Sequence, residues 1–384
     1  MKAPRWLVVL CGVGVLVTSV RSTTSAAEVP PPEGPPVWEP ARVPAEFVEP
    51  WPAEWESAFR ERAGRAIAAF ARTPVSANTW GENEKDAYAR AMFAFLAGRR
   101  AEALRALQAE DAQAQTDHRH TFGIDFYWTF TLKHQVRKAF YFGPWLEADY
   151  LERMLRGARV WTAEDPLGRS HPLHGRGDSR RTGWGPDAKG GWVDARDTDN
   201  LRAMRDVAIY LFAEAAGNER TRGLARDRLA AWVRMLYHGG MREWDSPNYH
   251  GHALSAWHNL FDFARDPEAR WLAKAALDWL YASAALKFWR GGFGGPGLRD
   301  YGGSTVAFGG NATHPLALMF GDSPRPDPAP DRDRLPLPPL SRPRTHRGGT
   351  GMQAPASGPG QTTASIQADQ SLNWPPFLAR MRHW

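Results

Sequence analysis

The densest run of groups able to exchange protons or hydrogen bonds is Glu243-Trp244-Asp245-Ser246-Pro247-Asn248-Tyr249-His250-Gly251-His252. A serine followed by proline starts a helix: the hydroxyl accepts from first-turn N–H groups, and proline fills a position whose N–H has no helical partner. Counted from that start, Tyr249 and His252 are three residues apart and share a face with Ala253, Ala256 and Asn259. A phenol and an imidazole then stand together near a helix N-terminus, where the dipole favours an anionic ligand. Such a pair can take a proton and return it, with His250 as a further partner. The competing reading is architectural, with Glu243 and Ser246 capping the helix and Tyr249 packed into the core.

Two further clusters carry the same kinds of group. Asp197-Thr198-Asp199-Asn200 opens the helix DNLRAMRDVAIYLFAEAAG, in which Asn200, Met204, Val207 and Leu211 form one stripe, so Asn200 stands at the inner end of an apolar face. Asp and Asn at a helix start also serve as caps. Arg299-Asp300-Tyr301 lies in a glycine-rich loop, where it reads either as a site or as a loop ion pair. Residues 118 to 143 make a cleft-lining or core helix whose Trp128, His134 and Arg137 can face a sugar, and Trp192 in another long loop offers a flat platform for one. The pairs His118/His120, His171/His174 and His250/His252 lack the HExxH or cysteine partners of a metal site, and H-x-H on a helix turns its rings to different faces. Neither metal nor cofactor is expected.

The elements that must position these groups are helices. The stretch after Trp51 places Trp55, Phe59, Ala63, Ile67 and Phe70 on one stripe. Helical patterns follow at about 83–108, 122–142, 145–161, 197–216, 219–238, 247–264 and 267–289. Short turns such as Ala216-Gly217-Asn218 and Arg265-Asp266-Pro267 join them in pairs, as in antiparallel α-hairpins. Residues 162–197 and 290–321 are expected to be long loops, and long loops in compact domains carry function.

The ends differ in character from this body. Lys2 and Arg5, the apolar run Trp6–Val20 and the small residues before Glu28 read as a signal peptide over residues 1–27. That run is too short to span a bilayer, so no stable membrane anchor is expected and the protein is read as secreted or periplasmic. The only cysteine, Cys11, falls inside it. Residues 28–50 are a proline-rich lead-in expected to lie extended, 51–321 the helical domain, and 322–384 a Pro/Arg-rich tail expected to be disordered. The net charge of +6 belongs to the two ends, because residues 28–321 carry 37 basic and 37 acidic groups. A formally neutral body argues against a nucleic-acid partner.

The order of these motifs resembles a family. An acid-Asn helix start (Asp199, Asn200), an E-x-x-S-x-x-Y helix start (Glu243, Ser246, Tyr249) and a Gly-rich R-x-Y (Arg299, Tyr301) are similar to heparinase II/III-like and alginate-lyase-like polysaccharide lyases, over roughly residues 120–305. The resemblance implies an all-α fold, an incomplete (α/α) toroid whose cleft takes an acidic polysaccharide or oligosaccharide. It also implies β-elimination, with Asn or a basic group neutralising the uronate carboxylate and Tyr or His moving the C5 proton. The residues singled out as catalytic are Asn200, Tyr249, His252, Arg299 and Tyr301, and those as substrate-binding Trp128, His134, Arg137, Trp192, Glu243 and His250. Leu201 stands where family members often have His, and the chain lacks the C-terminal β-sandwich many carry. Two rivals stay open: a glycoside hydrolase on the same fold, drawing its acid and base from Asp197/Asp199 and Glu243/Asp245, and a glycan-binding protein without catalysis.

Overall fold

The computed structural model describes residues 31–34, 43–47, 51–70, 72, 74–75, 88–111, 121–126, 129–163, 166, 198–243, 246, 249–289, 292–293 and 312–321. Ten α-helices carry the described part: α1 (Ala53–Phe70), α2 (Ala89–Leu96), α3 (Arg100–Leu107), α4 (Thr129–Phe140), α5 (Ala148–Ala163), α6 (Asp199–Ala216), α7 (Glu219–Gly239), α8 (Tyr249–Phe263), α9 (Pro267–Ala285) and α10 (Thr313–Phe320). The expected all-α class holds. The described β-structure is one antiparallel pair of two-residue strands, Phe288–Trp289 with Gly292–Phe293, and an isolated bridge between Thr121 and Ile124. Among the described residues no helix is long and apolar enough to cross a membrane.

Three helices run side by side in the same direction. At their N-terminal ends the Phe130 ring of α4 meets His252 of α8 at 5.1 Å, and Asn200 of α6 meets Glu243 just ahead of α8. At their C-terminal ends Phe140 of α4 lies 5.5 Å from Phe212 of α6 and 5.6 Å from Phe263 of α8. Nearly every residue of α6 from Asp199 to Ala213 and of α8 from Tyr249 to Asp262 is buried, so these helices are enclosed on all sides.

Each buried helix is followed by an amphipathic one running back outside it. Arg228 of α7 reaches Asp206 at 3.2 Å and Arg202 lies 5.1 Å over the Trp232 ring, which sets α7 antiparallel to α6. Arg270 of α9 reaches the Phe261 carbonyl at 2.5 Å and the Leu280 carbonyl meets His250 at 2.9 Å, which sets α9 antiparallel to α8. The expected turns close both hairpins. Gly217 ends α6 in the left-handed region at φ 74°, and Asp266 caps α9 by accepting from the Glu268 N–H at 2.9 Å, with Pro267 next.

The structure departs from the sequence reading at several points, the first being that the helix expected over 122–142 begins at Thr129, because Phe122 and Gly123 turn at positive φ between the bridged Thr121 and Ile124. The helix expected over 83–108 is two, broken where Gly98 adopts φ 94°; a Cβ there would collide with the Gly34 carbonyl. Trp55 is 61% exposed, because Trp51 occupies the inner position with its ring 5.7 Å from Phe59. The lead-in forms a 3-10 turn at Ala45–Phe47, whose Phe47 is buried against Phe261 and Trp271. Residues 290–321, expected to be loop, contain α10, which α1 holds through the Arg62 guanidinium on the Leu318 carbonyl at 2.8 and 2.6 Å.

Candidate functional site

The parallel course of α4, α6 and α8 brings their N-terminal ends together, and with them two of the three clusters singled out in the sequence. Thr198 is the N-cap of α6 with an extended backbone and no side-chain capping bond. Asp199 and Asn200 turn their side chains away from the helix they open. Both reach across to Glu243: Asp199 Oδ2 accepts its backbone N–H at 2.9 Å, and Asn200 Nδ2 donates to its carboxylate. Ser246 does act as a cap, accepting from the Tyr249 N–H at 3.2 Å while its carbonyl takes the His250 N–H at 3.0 Å.

From this anchored start α8 turns its side chains as the spacing predicts. The Tyr249 and His252 ring centroids are 6.1 Å apart on one face, and the far side of His252 meets the edge of Phe130. His250 lies on the other face, with Nε2 2.9 Å from the Leu280 carbonyl of α9; burial pushes its pKa down to about 4, with the carbonyl partly opposing. It is therefore a strut between α8 and α9, outside the Tyr249/His252 pair. The cluster is enclosed: Glu243 and Tyr249 are 7% exposed, Asp199, Asn200 and His252 1%.

Asp199 is the group whose electrostatics stand out. Burial lifts its carboxyl to about 6, against the backbone N–H groups of Glu243, Arg242 and Asp199 itself and the Arg202 guanidinium, which favour the anion. A carboxyl raised toward neutrality next to Glu243 is a candidate acid, the role the hydrolase alternative gave it, while the lyase resemblance used it only as the acid of the acid-Asn helix start.

His134 and Arg137 lie deeper on α4. Phe130, His134 and Arg137 share a face at helical spacing, and both neighbours of His134 on that face touch α8. His134 is fully buried with neither ring nitrogen hydrogen-bonded, and burial, reinforced by Lys133 and Arg137, holds it neutral. Arg137 pairs with Asp262 at 2.6 Å and donates to Asn259 at 3.0 Å, which makes it a tie between α4 and α8. Asn259 and Asp262, at the far end of α8, complete that tie and were not distinguished in the sequence from other polar residues of the helix.

Trp128, Trp192, Arg299 and Tyr301 lie outside the described residues, as do the pairs His118/His120 and His171/His174. Among the described residues no three His, Cys, Asp or Glu side chains are grouped as a metal requires. Compared with known proteins, the chain matches no family model, no curated protein and no solved structure.

Proposed function

We propose that this chain is an exported polysaccharide lyase that cleaves a uronate-containing polysaccharide by β-elimination at the shared N-terminal end of α4, α6 and α8. The observations that carry the reading are the contact of Asn200 with Glu243 and the pairing of Tyr249 with His252, both at that end. Buried helices alternating with antiparallel outer ones, with α6 and α8 parallel, are what an open (α/α) toroid requires, and they support that architecture for the domain.

In this reading the second N–H of the Asn200 amide, together with Arg299, stabilises the charge that develops on the uronate carboxylate when the C5 proton leaves. Tyr249 removes that proton, the C4–O bond breaks with its electron pair on oxygen, and His252 or the tyrosine protonates the leaving oxygen. Trp128 and Trp192 hold sugar rings, Tyr301 joins Arg299 at the reacting sugar, and the leader over residues 1–27 directs export. The test is the ultraviolet absorbance of the unsaturated product from a panel of uronate polysaccharides. Tyr249→Phe is expected to lower the rate by about 10²–10⁴-fold; an undiminished rate removes Tyr249 from the chemistry.

One observation favours hydrolysis on the same scaffold: burial lifts the Asp199 carboxyl to about 6 beside Glu243, which sets a raised carboxyl and a second carboxyl in one cluster. Hydrolysis predicts saturated products and a loss in Glu243→Gln instead of Tyr249→Phe.

A further inference from the structure

The lead-in is held to the body at two places. Its first hold is the turn between α2 and α3, where the Glu33 N–H donates to the Gly98 carbonyl at 2.8 Å and the Glu33 carboxylate accepts from the Ala101 N–H at 2.8 Å. Ala101 lies in the first turn of α3, where an N–H has no partner within the helix, and Arg99 at the N-cap makes no side-chain capping bond. Glu33 therefore caps a helix that starts far along the chain, its partner being 68 positions away. Gly98 makes room for this contact: its φ of 94° suits glycine, and a Cβ there would collide with the Gly34 carbonyl.

The second hold is on the α8–α9 hairpin. Phe47 is 2% exposed, with its ring centroid 4.8 Å from Trp271 of α9 and 6.3 Å from Phe261 of α8, and the Arg270 guanidinium lies 6.0 Å over it. Val43 packs on the same core, and the Phe47 N–H donates to the Pro44 carbonyl at 3.1 Å, which closes the turn. The body joins the same two helix pairs through α4. Phe95 of α2 meets Phe142, just past α4, at 5.3 Å, and Phe140 of α4 meets Phe263 of α8 at 5.6 Å. The lead-in is a second connection between them, in parallel with α4.

A carboxylate cap at an exposed helix start is a weak hold by itself, and Pro31, Pro32 and Glu33 are all exposed. Covalent linkage to a buried aromatic changes this, because a segment anchored at one point presents its other anchor at high effective concentration. We infer that residues 31–34 and 43–47 work as one strap, a latch that ties the α2–α3 turn to the α8–α9 hairpin and whose release at either hold loosens the other. The exposed hold is the one that solvent reaches, so the latch opens from Glu33. The inference is independent of the saccharide reading.

The experiment is amide hydrogen exchange of the full chain, read at single residues by mass spectrometry with electron-transfer fragmentation. The Ala101 amide reports on the first hold and the Phe47 amide on the second. Phe47→Ala is expected to speed exchange at Ala101 by about tenfold or more, although the substitution lies on the other helix pair. Glu33→Ala is expected to speed exchange at Phe47 by about threefold, a smaller effect because the backbone bond to Gly98 remains. Glu33→Gln keeps an acceptor for the Ala101 N–H and should leave Phe47 as slow as in the unaltered protein. The buried Val207 amide of α6 should be unchanged in all three. Exchange at Ala101 that is unaltered by Phe47→Ala overturns the strap, and so does exchange at Phe47 that is unaltered by Glu33→Ala. Where Phe47→Ala also speeds Val207, that variant has loosened the whole body, and Glu33→Ala, at an exposed position, decides alone.

Discussion

At the scale of single residues, the pairing of Tyr249 with His252 and the divergence of His250 follow from three-residue and two-residue spacing on one helix, and both could be read from the sequence. The contact of Asn200 with Glu243 could not, because it joins residues 43 positions apart and depends on how α6 and α8 pack. The state of Asp199 was equally hidden, since desolvation belongs to the folded protein alone. It has a measurable consequence. An unfolded aspartate titrates near 3.9 and this one near about 6, so the folded chain binds the proton more tightly than the unfolded chain. Stability from this residue is full below pH about 4 and is lost as the pH rises through about 6, by about 3 kcal/mol at most. Asp199→Asn has no proton to lose. Urea midpoints of the two proteins, compared from pH 4 to 7, should therefore shift in favour of the variant up to about pH 6 and hold constant beyond it. A difference that does not change with pH would mean that Asp199 is solvated.

At the scale of elements, helical periodicity located most of the helices, and turn chemistry located the breaks at Gly217 and Asp266. What periodicity missed has physical causes. Trp55 sits on the predicted stripe, yet Trp51 from the preceding turn takes its place against Phe59. The α10 helix is short and follows a glycine-rich stretch, so its own sequence carries little signal; its docking to Arg62 of α1 is a tertiary contact. Polar residues of α8 are buried because partners on α9 and α4 meet them: His250 and His258 meet α9, and Asp262 and Asn259 meet Arg137 of α4. The Arg137 guanidinium also lies 4.5 Å over the Phe263 ring. Both charges are fully buried, so Asp262→Ala strands a cation and should cost about 3–5 kcal/mol in urea unfolding. Replacing both, Arg137→Met with Asp262→Leu, should recover most of that loss, because the penalty comes from the unpaired charge. A loss in the double variant as large as in Asp262→Ala would assign the stability to the ion pair itself.

At the scale of the whole molecule, the last of the described residues are those of α10 and Gly321. Composition puts the end of the helical domain at residue 321, since residues 322 onward are rich in proline and arginine. The contacts tie α10 to that body. Ala312, Leu316 and Leu318 are buried, and Arg62 binds the Leu318 carbonyl through two nitrogens and the Met319 carbonyl at 3.3 Å. The guanidinium thereby satisfies carbonyls at a helix end that have no partner within the helix. A chain ending at Gly321 keeps every one of these contacts and should melt within about 2 °C of the full-length protein, as this size of domain shifts about 2–4 °C per kcal/mol. A chain ending at residue 311 loses two buried leucines, each contributing about 1.5–3 kcal/mol, and leaves Arg62 facing the exposed flank of α1. Its melting temperature should fall by about 10 °C in scanning calorimetry. Equal melting of the two shortened chains would show that α10 is an appendage, while a large drop on removing residues 322–384 alone would place part of the fold in the tail.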